Sequence, residues 1–160
     1  EASTQTSEDL PKQLTGFKIG DDYYAISVLE VQEVVKPQKV TPVPLASDYI
    51  RGLINLRGQI VTSLSLRKLF GMDEILGDDH MNVIVNREES LFALVVDEIL
   101  DVIDVTNLEL ERVPENLDPQ IKKYTKGIYK LSDKLIILLD LDKLIIEGKE
   151  GKDGKEEGQS

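Results

Sequence analysis

Residues 51–70 read RGLINLRGQIVTSLSLRKLF, and 75 positions later residues 126–145 read KGIYKLSDKLIILLDLDKLI. The two stretches align without a gap and share six identities in 20 positions, among them Gly52 with Gly127. Each copy reads as an apolar strand, a tight turn, a second apolar strand and a short amphipathic helix. An internal repeat of this kind predicts that the chain is built twice from one unit.

A second block extends the repeat upstream. Residues 24–31, YAISVLEV, resemble residues 92–99, FALVVDEI, at an offset of 68, so the two copies differ in loop length. Short strands separated by tight turns favour small barrels over a doubly wound sheet. We therefore predict a mainly β fold of two small barrels with short helices, related by a pseudo-twofold axis and meeting along an apolar seam.

Composition divides the chain into three parts. Residues 1–13 and 147–160 are polar, charged or glycine-rich and lack a core-forming pattern, so both are predicted to be disordered tails. The globular part is predicted to span residues 14–146. Its first barrel would lie at about residues 14–75 and its second at about residues 81–146, with elements free to cross over.

Two segments have helical spacing. Residues 27–30 fit a capping box, and Val28, Val31 and Val35 recur at helical intervals, which predicts a short helix after Ser27. Residues 98–105 fit either a helix or a bent strand, because they combine helical spacing with β-branched side chains.

The chain carries 30 acidic and 19 basic side chains, a formal net charge of −11, and no cysteine. A surface of this sign repels phosphate groups, so neither nucleic acid nor an anionic membrane is an expected partner. The lack of cysteine excludes disulfides, thiolate zinc ligands and thiol catalysis. No apolar run approaches the roughly 20 residues that span a bilayer, so direct membrane insertion is not expected.

The sequence offers little for catalysis. The single histidine, His80, lies in an acidic loop, and Asp97, Asp101 and Asp104 indicate a solvated acidic face because no calcium-binding loop surrounds them. No phosphate loop, dinucleotide fingerprint or nucleophile elbow is present, so no catalytic residue, metal or cofactor is predicted. Arg57, at a hairpin tip of an acidic protein, is either a solvated residue or an anchor for a partner.

Several segments together resemble the CheW family of bacterial chemotaxis coupling proteins. Residues 49–58, YIRGLINLRG, followed by Ile60, Val61 and LRKLFG at residues 66–71, resemble the family signature. Four further segments match in the family's order: VQEV at residues 31–34, VTPVP at 40–44, VVDEI at 95–99 and LLDLDKL at 138–144. The resemblance covers residues 14–146. It implies two five-stranded SH3-like β-barrels packed side by side and no enzymatic activity.

Members of this family bridge methyl-accepting chemoreceptors to the histidine kinase CheA in a two-component system. The resemblance therefore implies a cytoplasmic adaptor that is recruited to membrane-associated receptor arrays. Val28, Val31 and Ile99 match positions lining the groove that receives the cytoplasmic tip of the receptor. Coupling to the C-terminal regulatory domain of the kinase is implied to involve three positions: Gly52, Arg57 and Glu33.

Other interpretations stay open. The same domain occurs within larger proteins, either the kinase itself or coupling proteins fused to a response-receiver domain. From another class, a two-barrel protein could bind a small molecule or carry out carboxylate chemistry in the seam, which a raised carboxyl pKa at Asp97 or Glu33 would favour. The chain also departs from the family's usual Val-Pro-x-x-Asp-Leu-Arg. Thr62 replaces the proline and Ser65 the aspartate, which leaves the detail of kinase pairing open.

Overall fold

The computed structural model describes residues 10–153, in which ten strands and three helices are present. The first half of the repeat contains β1 (Gln13–Ile19), β2 (Asp22–Ser27), a 3-10 turn (Val28–Glu30), β3 (Val31–Val35), β4 (Ile50–Leu56), β5 (Gln59–Ser65) and α1 (Leu66–Leu69). The second half contains β6 (Met81–Arg87), β7 (Ser90–Val96), β8 (Glu98–Asp104), α2 (Pro119–Lys122), β9 (Thr125–Lys130), β10 (Leu135–Leu139) and α3 (Leu141–Lys152).

The strands form two five-stranded sheets with equivalent strand orders. The first sheet runs β8-β1-β2-β10-β9 and the second runs β3-β6-β7-β5-β4. Exchanging each strand for its counterpart in the other half of the repeat converts one order into the other. The pairing modes also correspond, since β10 lies parallel to β2 as β5 lies parallel to β7. The repeat in the sequence is thus a repeat in topology.

Each half of the repeat contributes to both sheets. The hairpin β1–β2 pairs with β8 and β10 of the second half, whereas β3, β4 and β5 join β6 and β7. The predicted division at about residues 14–75 and 81–146 therefore does not coincide with the sheets. The physical reason lies in the 3-10 turn, which leads the chain away from the first hairpin so that β3 pairs with β6 instead.

Neither sheet closes into the predicted barrel. Among the described residues, the end strands of each sheet do not hydrogen-bond to one another along their length. The outer edge of β4 carries only the bridge Thr41–Leu53, and that of β9 only the bridge Glu111–Ile128. Proline follows each bridge within three residues and cannot donate a backbone hydrogen bond, which stops the pairing from propagating.

Alternate side chains of each sheet are buried in different clusters. The largest cluster lies between the sheets and combines Phe17 and Tyr24 of the first with Leu64 and Phe92 of the second. A smaller cluster on the opposite face of the first sheet contains residues such as Leu138. The matching cluster of the second sheet contains Ile54, Leu56, Val61, Ile84, Leu91 and Ala93. Strands buried on both faces explain the unbroken apolar runs of the sequence.

The local predictions had mixed outcomes. The capping box is present, with Ser27 Oγ accepting from Leu29 N at 3.2 Å and Glu30 Oε1 accepting from Ser27 N at 3.2 Å. The helix predicted beyond it is wrong, because Val31–Val35 is a strand held by β6. Residues 98–105 take the strand alternative over Glu98–Asp104.

Both predicted tails overlap ordered structure. Strand β1 begins at Gln13, and Lys12 O accepts from Val105 N at 2.8 Å. Helix α3 continues to Lys152, although disorder was predicted from residue 147. The glycines that suggested disorder are buried, and Gly148 and Gly151 let α3 approach Phe92 and Tyr49 closely. Residues 1–9 and 154–160 lie outside the described part of the chain.

Candidate protein-interaction surface

The hairpin between β4 and β5 ends in a two-residue turn formed by Arg57 and Gly58. Leu56 pairs with Gln59 across it, and φ is +52° at Arg57 and +87° at Gly58. Asn55 Oδ1 accepts from the Gly58 N–H at 2.9 Å and fixes the turn from within. Positive φ at both turn residues matches the twist of a β-hairpin, so the arginine is carried at the tip by ordinary turn geometry.

Arg57 forms an ion pair with Glu33. Arg57 Nη2 donates to Glu33 Oε2, and the two side chains are 64% and 29% exposed. Glu33 lies on β3 and Arg57 follows β4, and these two strands are at opposite ends of the second sheet. The sheet therefore curls until its ends meet through side chains. We call Glu33, Arg57 and Gly58 the hairpin-tip surface.

Gly52 occupies a different environment from the other two predicted coupling residues. It is buried, has φ of +143°, and a Cβ atom there would lie 2.3 Å from the carbonyl oxygen of Thr41. That carbonyl accepts from Leu53 N at 2.8 Å, and Thr41 N donates to Leu53 O at 2.9 Å. Gly127, its counterpart in the repeat, is also buried and would place a Cβ atom 2.6 Å from Glu111 O. Both glycines thus permit close backbone approach.

Two of the three residues predicted to line a receptor groove lie at the border of the central cluster. Val31 and Ile99 are half-buried, pack against that cluster, and occupy equivalent positions in the two copies of the repeat. Ile99 also lines a cavity of about 620 Å³ together with Lys18 and Met81. We call Val31 and Ile99 the rim pair. Much of the predicted seam is filled by the protein's own side chains, so only its border is open to a partner.

Val28 lies in the 3-10 turn and lines a separate cavity of about 570 Å³ with residues 10–13, Leu29 and Asp104. Leu29 beside it is 91% exposed, which is unusual for so large an apolar side chain. Sequence reasoning missed Leu29, although an apolar residue within a capped turn is visible in the sequence. Val28 and Leu29 together form an apolar knob next to strand β3, which begins with Val31 of the rim pair.

Arg87 holds this knob in place and was also missed. Arg87 Nη2 donates to Glu30 Oε2 at 3.0 Å, while Arg87 Nε donates to Asp142 Oδ1 at 2.8 Å. The end of β6, the 3-10 turn and the start of α3 are therefore joined by one guanidinium. No local pattern in the sequence signals a contact between residues that lie 57 and 55 positions apart.

The carboxylate of Asp97 is part of a structural ion pair. Arg67 donates to it from Nε to Oδ1 at 3.0 Å and from Nη2 to Oδ2 at 2.6 Å. Burial by itself would raise the pKa of Asp97, but Arg67 and the Gly20 N–H hold that pKa below its ordinary value. A catalytic acid needs a raised pKa, so the carboxylate chemistry weighed for the seam is not supported. Among residues 10–153, no cluster of three or more possible ligands could hold a metal ion.

The two departures from the usual motif are accommodated within the fold. Ser65 caps α1, with its Oγ accepting from Lys68 N at 3.2 Å, as an aspartate would. Thr62 is buried on β5, which lies between β4 and β7. Because β5 is an interior strand, the threonine supplies a backbone N–H where a proline would have none, and no sheet edge is altered.

Comparisons with known proteins agree with this architecture. A family model described as "CheW-like domain" matches residues 13–148. The chain belongs to the CheW-like family. It is 33% identical to the chemotaxis protein CheW of Treponema pallidum, with 82% of this chain and 81% of the relative covered. It is 32% identical to CheW of Helicobacter pylori, with 89% and 87% covered.

A solved structure extends the similarity to three dimensions. The scaffolding protein TtCheW of Thermoanaerobacter tengcongensis superposes with a TM-score of 0.71 at 30% identity, covering 81% of this chain and 89% of that one. Membership of the CheW-like family makes this chain a non-enzymatic chemotaxis coupling protein. Among the described residues, none of the helices combines the length and the apolar character needed to cross a bilayer.

Proposed function

We propose that the chain is a cytoplasmic adaptor that couples chemoreceptors to the histidine kinase CheA and is recruited with them to receptor arrays. The observation that carries this proposal is the match to the CheW-like family over residues 13–148, which includes every residue of the two candidate surfaces. The receptor would supply its cytoplasmic tip, and the kinase its C-terminal regulatory domain. Neither contact requires chemistry from this chain.

The kinase would bind the hairpin-tip surface. Arg57 is exposed at a hairpin tip, and its guanidinium can still donate to an acidic or carbonyl group of a partner while it is paired with Glu33. Arginine is enriched at interface hot spots because its planar fork loses little freedom per hydrogen bond. Gly52 would act indirectly by letting β4, which leads to the tip, pack against Thr41.

The receptor would bind along the rim pair and the knob of Val28 and Leu29. A helical hairpin that lies in an apolar groove derives its affinity from aliphatic side chains of this kind. Leu29 is almost fully exposed in the folded chain, so its apolar area remains available to be buried against a partner. Val31 and Ile99 occupy equivalent positions in the two copies of the repeat, so one helical hairpin could contact both copies at the same time.

The equivalent strand orders of the two sheets support a pseudo-twofold relation between them. CheA's regulatory domain shares the family fold, so the two proteins would pair in a pseudo-symmetric contact that imitates the internal repeat. Arg57 has diverged in the second copy, where Ser132 occupies the turn, while the core leucines are retained. This contrast is expected if hairpin tips serve binding and leucines serve packing.

Arg57→Asn tests the kinase surface without weakening the turn. Asn-Gly is the preferred sequence for a two-residue turn with positive φ at both positions, and loss of an exposed ion pair costs at most about 1 kcal/mol. We expect the melting temperature to stay unchanged or rise. Binding to purified CheA regulatory domain, measured by calorimetry, should weaken by about 1–3 kcal/mol.

The matched control is Arg112→Asn, which makes the same change at an exposed arginine of the loop after β8. A paired variant, Arg57→Glu with Glu33→Arg, restores the ion pair with its charges exchanged. Recovery of binding in the paired variant would show that the pair acts by shaping the tip, whereas persistent loss would identify Arg57 as the contact. Unchanged binding in Arg57→Asn would remove the hairpin tip from the kinase interface.

A further inference from the structure

A crevice of about 480 Å³ opens beside the inner face of the first sheet. Its walls are the end of α1, the loop that precedes α2, and the strands β9 and β10. Most of the lining is apolar, from Phe70, Leu117, Ile121, Ile128 and Ile137, with the half-exposed Leu135 at the mouth. This size and character are typical of small-molecule sites. The crevice contains none of the residues assigned to either protein-binding surface.

Strand register places the side chain of Tyr24, which is not itself a lining residue, on the face of the sheet that borders this crevice. Asp22 and Tyr24 are two apart on β2, so their side chains share one face of the sheet. Ile137 is the Cα partner of Tyr24, and Ile128 is the partner of Ile137, so these lining residues lie on the same face. The Tyr24 ring also stacks on that of Phe70, with centroids 5.2 Å apart.

The hydroxyl of Tyr24 has no hydrogen-bond partner among the described residues, although the side chain is fully buried. A buried polar atom without a partner destabilises a fold, and such atoms in native structures call for an explanation. Burial and then the carboxylates of Asp22 and Asp118 raise the pKa of this hydroxyl, which therefore remains protonated. Both carboxylates line the crevice.

The polar part of the lining is acidic. Asp22 and Asp118 are exposed, and neither takes part in an ion pair within residues 10–153. One oxygen of Asp118 accepts from Gln120 N at 2.9 Å to cap α2, which leaves the second oxygen available. Asn116 adds a neutral amide beside them. Two negative charges favour a cation, and the apolar wall disfavours a hydrated metal ion.

We propose that this crevice binds a small primary amine with an apolar body, an alkylammonium or arylammonium compound. The ammonium group would donate hydrogen bonds to Asp22, Asp118 and the hydroxyl oxygen of Tyr24. The hydrocarbon part would lie against Phe70, Ile121 and Ile137. A bound ammonium would thereby give the buried hydroxyl of Tyr24 a hydrogen-bond partner and neutralise two carboxylates that have no ion-pair partner within residues 10–153.

The direct test is a titration of the whole chain with n-hexylammonium chloride, followed by amide chemical shifts. Hexanoate and hexan-1-ol are the matched probes, since they keep the hydrocarbon chain and change the head group. We expect saturable shifts at residues 70–72, 116–118 and 137 with hexylammonium, and at least tenfold weaker binding of the other two. Equal binding of all three probes, or shifts elsewhere in the chain, would overturn the proposal.

Variants assign the binding to the named groups. Asp22→Asn with Asp118→Asn removes both charges while asparagine retains the cap of α2. Its control is Asp21→Asn with Glu115→Gln, which removes two neighbouring exposed charges that do not line the crevice. We expect the first pair to weaken hexylammonium binding about tenfold or more and the control pair to have less than a twofold effect. If the two double variants weakened binding equally, the binding would be a general attraction of cations to an acidic protein, and the proposed site would be wrong.

Tyr24→Phe provides a second, independent readout. Removal of an unsatisfied buried hydroxyl should leave the melting temperature of the free protein unchanged or higher. The same variant should bind hexylammonium several-fold more weakly and should gain less thermal stability from it. A large fall in the melting temperature of the free protein would show that the hydroxyl already has a partner, and the proposal would then fail.

Discussion

The backbone N–H of Gly20 donates to Oδ2 of Asp97 at 2.8 Å and thereby ties the two sheets together. Gly20 lies in the turn between β1 and β2 of the first sheet, and Asp97 follows β7 of the second. The return contact is made by Asp97 N, which donates to Lys18 O at 3.0 Å. Arg67 of α1 donates to the same carboxylate. Asp97 therefore joins the turn between β1 and β2, helix α1 and the connection from β7 to β8.

Asp97→Asn should therefore lower the free energy of unfolding by about 1–3 kcal/mol at pH 7, because a charged partner of Arg67 is lost. The pKa of Asp97 is lowered in the folded state, so its stabilising contribution is present above the unfolded pKa of about 3.9. That contribution disappears as the pH falls through the folded pKa. Urea unfolding at pH 7, 5 and 3 should show the difference from the parent protein shrinking in acid.

The control for this prediction is Asp101→Asn, which removes one exposed carboxylate of β8 that has no ion pair in the described chain. It should change stability by less than about 0.5 kcal/mol at each pH. A deficit in Asp97→Asn that stayed constant down to pH 3 would mean that the charge of Asp97 is not what stabilises the fold.

Gly52→Ala and Gly127→Ala should each destabilise the protein by more than about 2 kcal/mol, because the new methyl group would meet a backbone carbonyl. The methyl carbon would lie 2.3 Å from the nearest carbonyl oxygen at residue 52 and 2.6 Å from it at residue 127. Urea denaturation measures the loss. A deficit in coupling by Gly52 variants would then follow from a displaced strand β4.

Gly58→Ala is the comparison for the glycine series. Its φ is +87° but nothing lies within 4 Å of a Cβ atom there, so only backbone strain of about 1–2 kcal/mol is expected. If Gly52→Ala cost no more than Gly58→Ala, the close approach to Thr41 would not be the reason for glycine at position 52.

Gly151→Ala should destabilise the protein, although alanine is normally the better helix former by about 1 kcal/mol. A Cβ atom at residue 151 would lie 2.5 Å from Cε1 of Tyr49, and Ser47 N donates to Gly151 O at 3.0 Å. We expect α3 to detach from the start of β4, which hydrogen exchange of Ser47 N would report. Glu150→Ala, at the exposed neighbouring position, should leave that amide protected.

Leu29→Glu should weaken binding of a chemoreceptor cytoplasmic fragment about tenfold or more, because a charge would replace an apolar contact. The side chain is almost fully exposed, so thermal stability should stay the same. Val31→Asp is a poorer test, since Val31 packs on the central cluster and its loss should also destabilise the fold. Ile75→Glu changes another exposed apolar residue, 71% exposed, and should not affect receptor binding.

The local features of the fold were readable from the sequence. The capping box of Ser27 and Glu30, the tight turn at Gly58 and the cap at Ser65 each depend on residues within three positions of one another. The repeat also aligned Gly52 with Gly127, and both glycines lie against a backbone carbonyl in the structure. The helix predicted after Ser27 was wrong because valines at helical spacing suit a strand equally well once a neighbour such as β6 is available.

The candidate site was only partly readable. The sequence indicated Arg57 as a tip residue, yet it gave no sign that Glu33 would be its partner, because the two meet only when the second sheet curls. Leu29 and Arg87 were missed for the same reason, since exposure and long-range ion pairs are properties of the assembled chain.

The sequence by itself determined that this chain is a duplicated, mainly β protein with the residues of a CheW-like coupling protein, because repeats, turns and caps are encoded by neighbours along the chain. Only the tertiary structure decided that the halves exchange strands, that the sheets stay open and that a glycine-rich segment continues α3. These outcomes depend on which distant strand has an unpaired edge. They also depend on whether the glycines of a helix can pack closely against an aromatic ring. Such choices are made by pairing and packing between residues far apart in sequence.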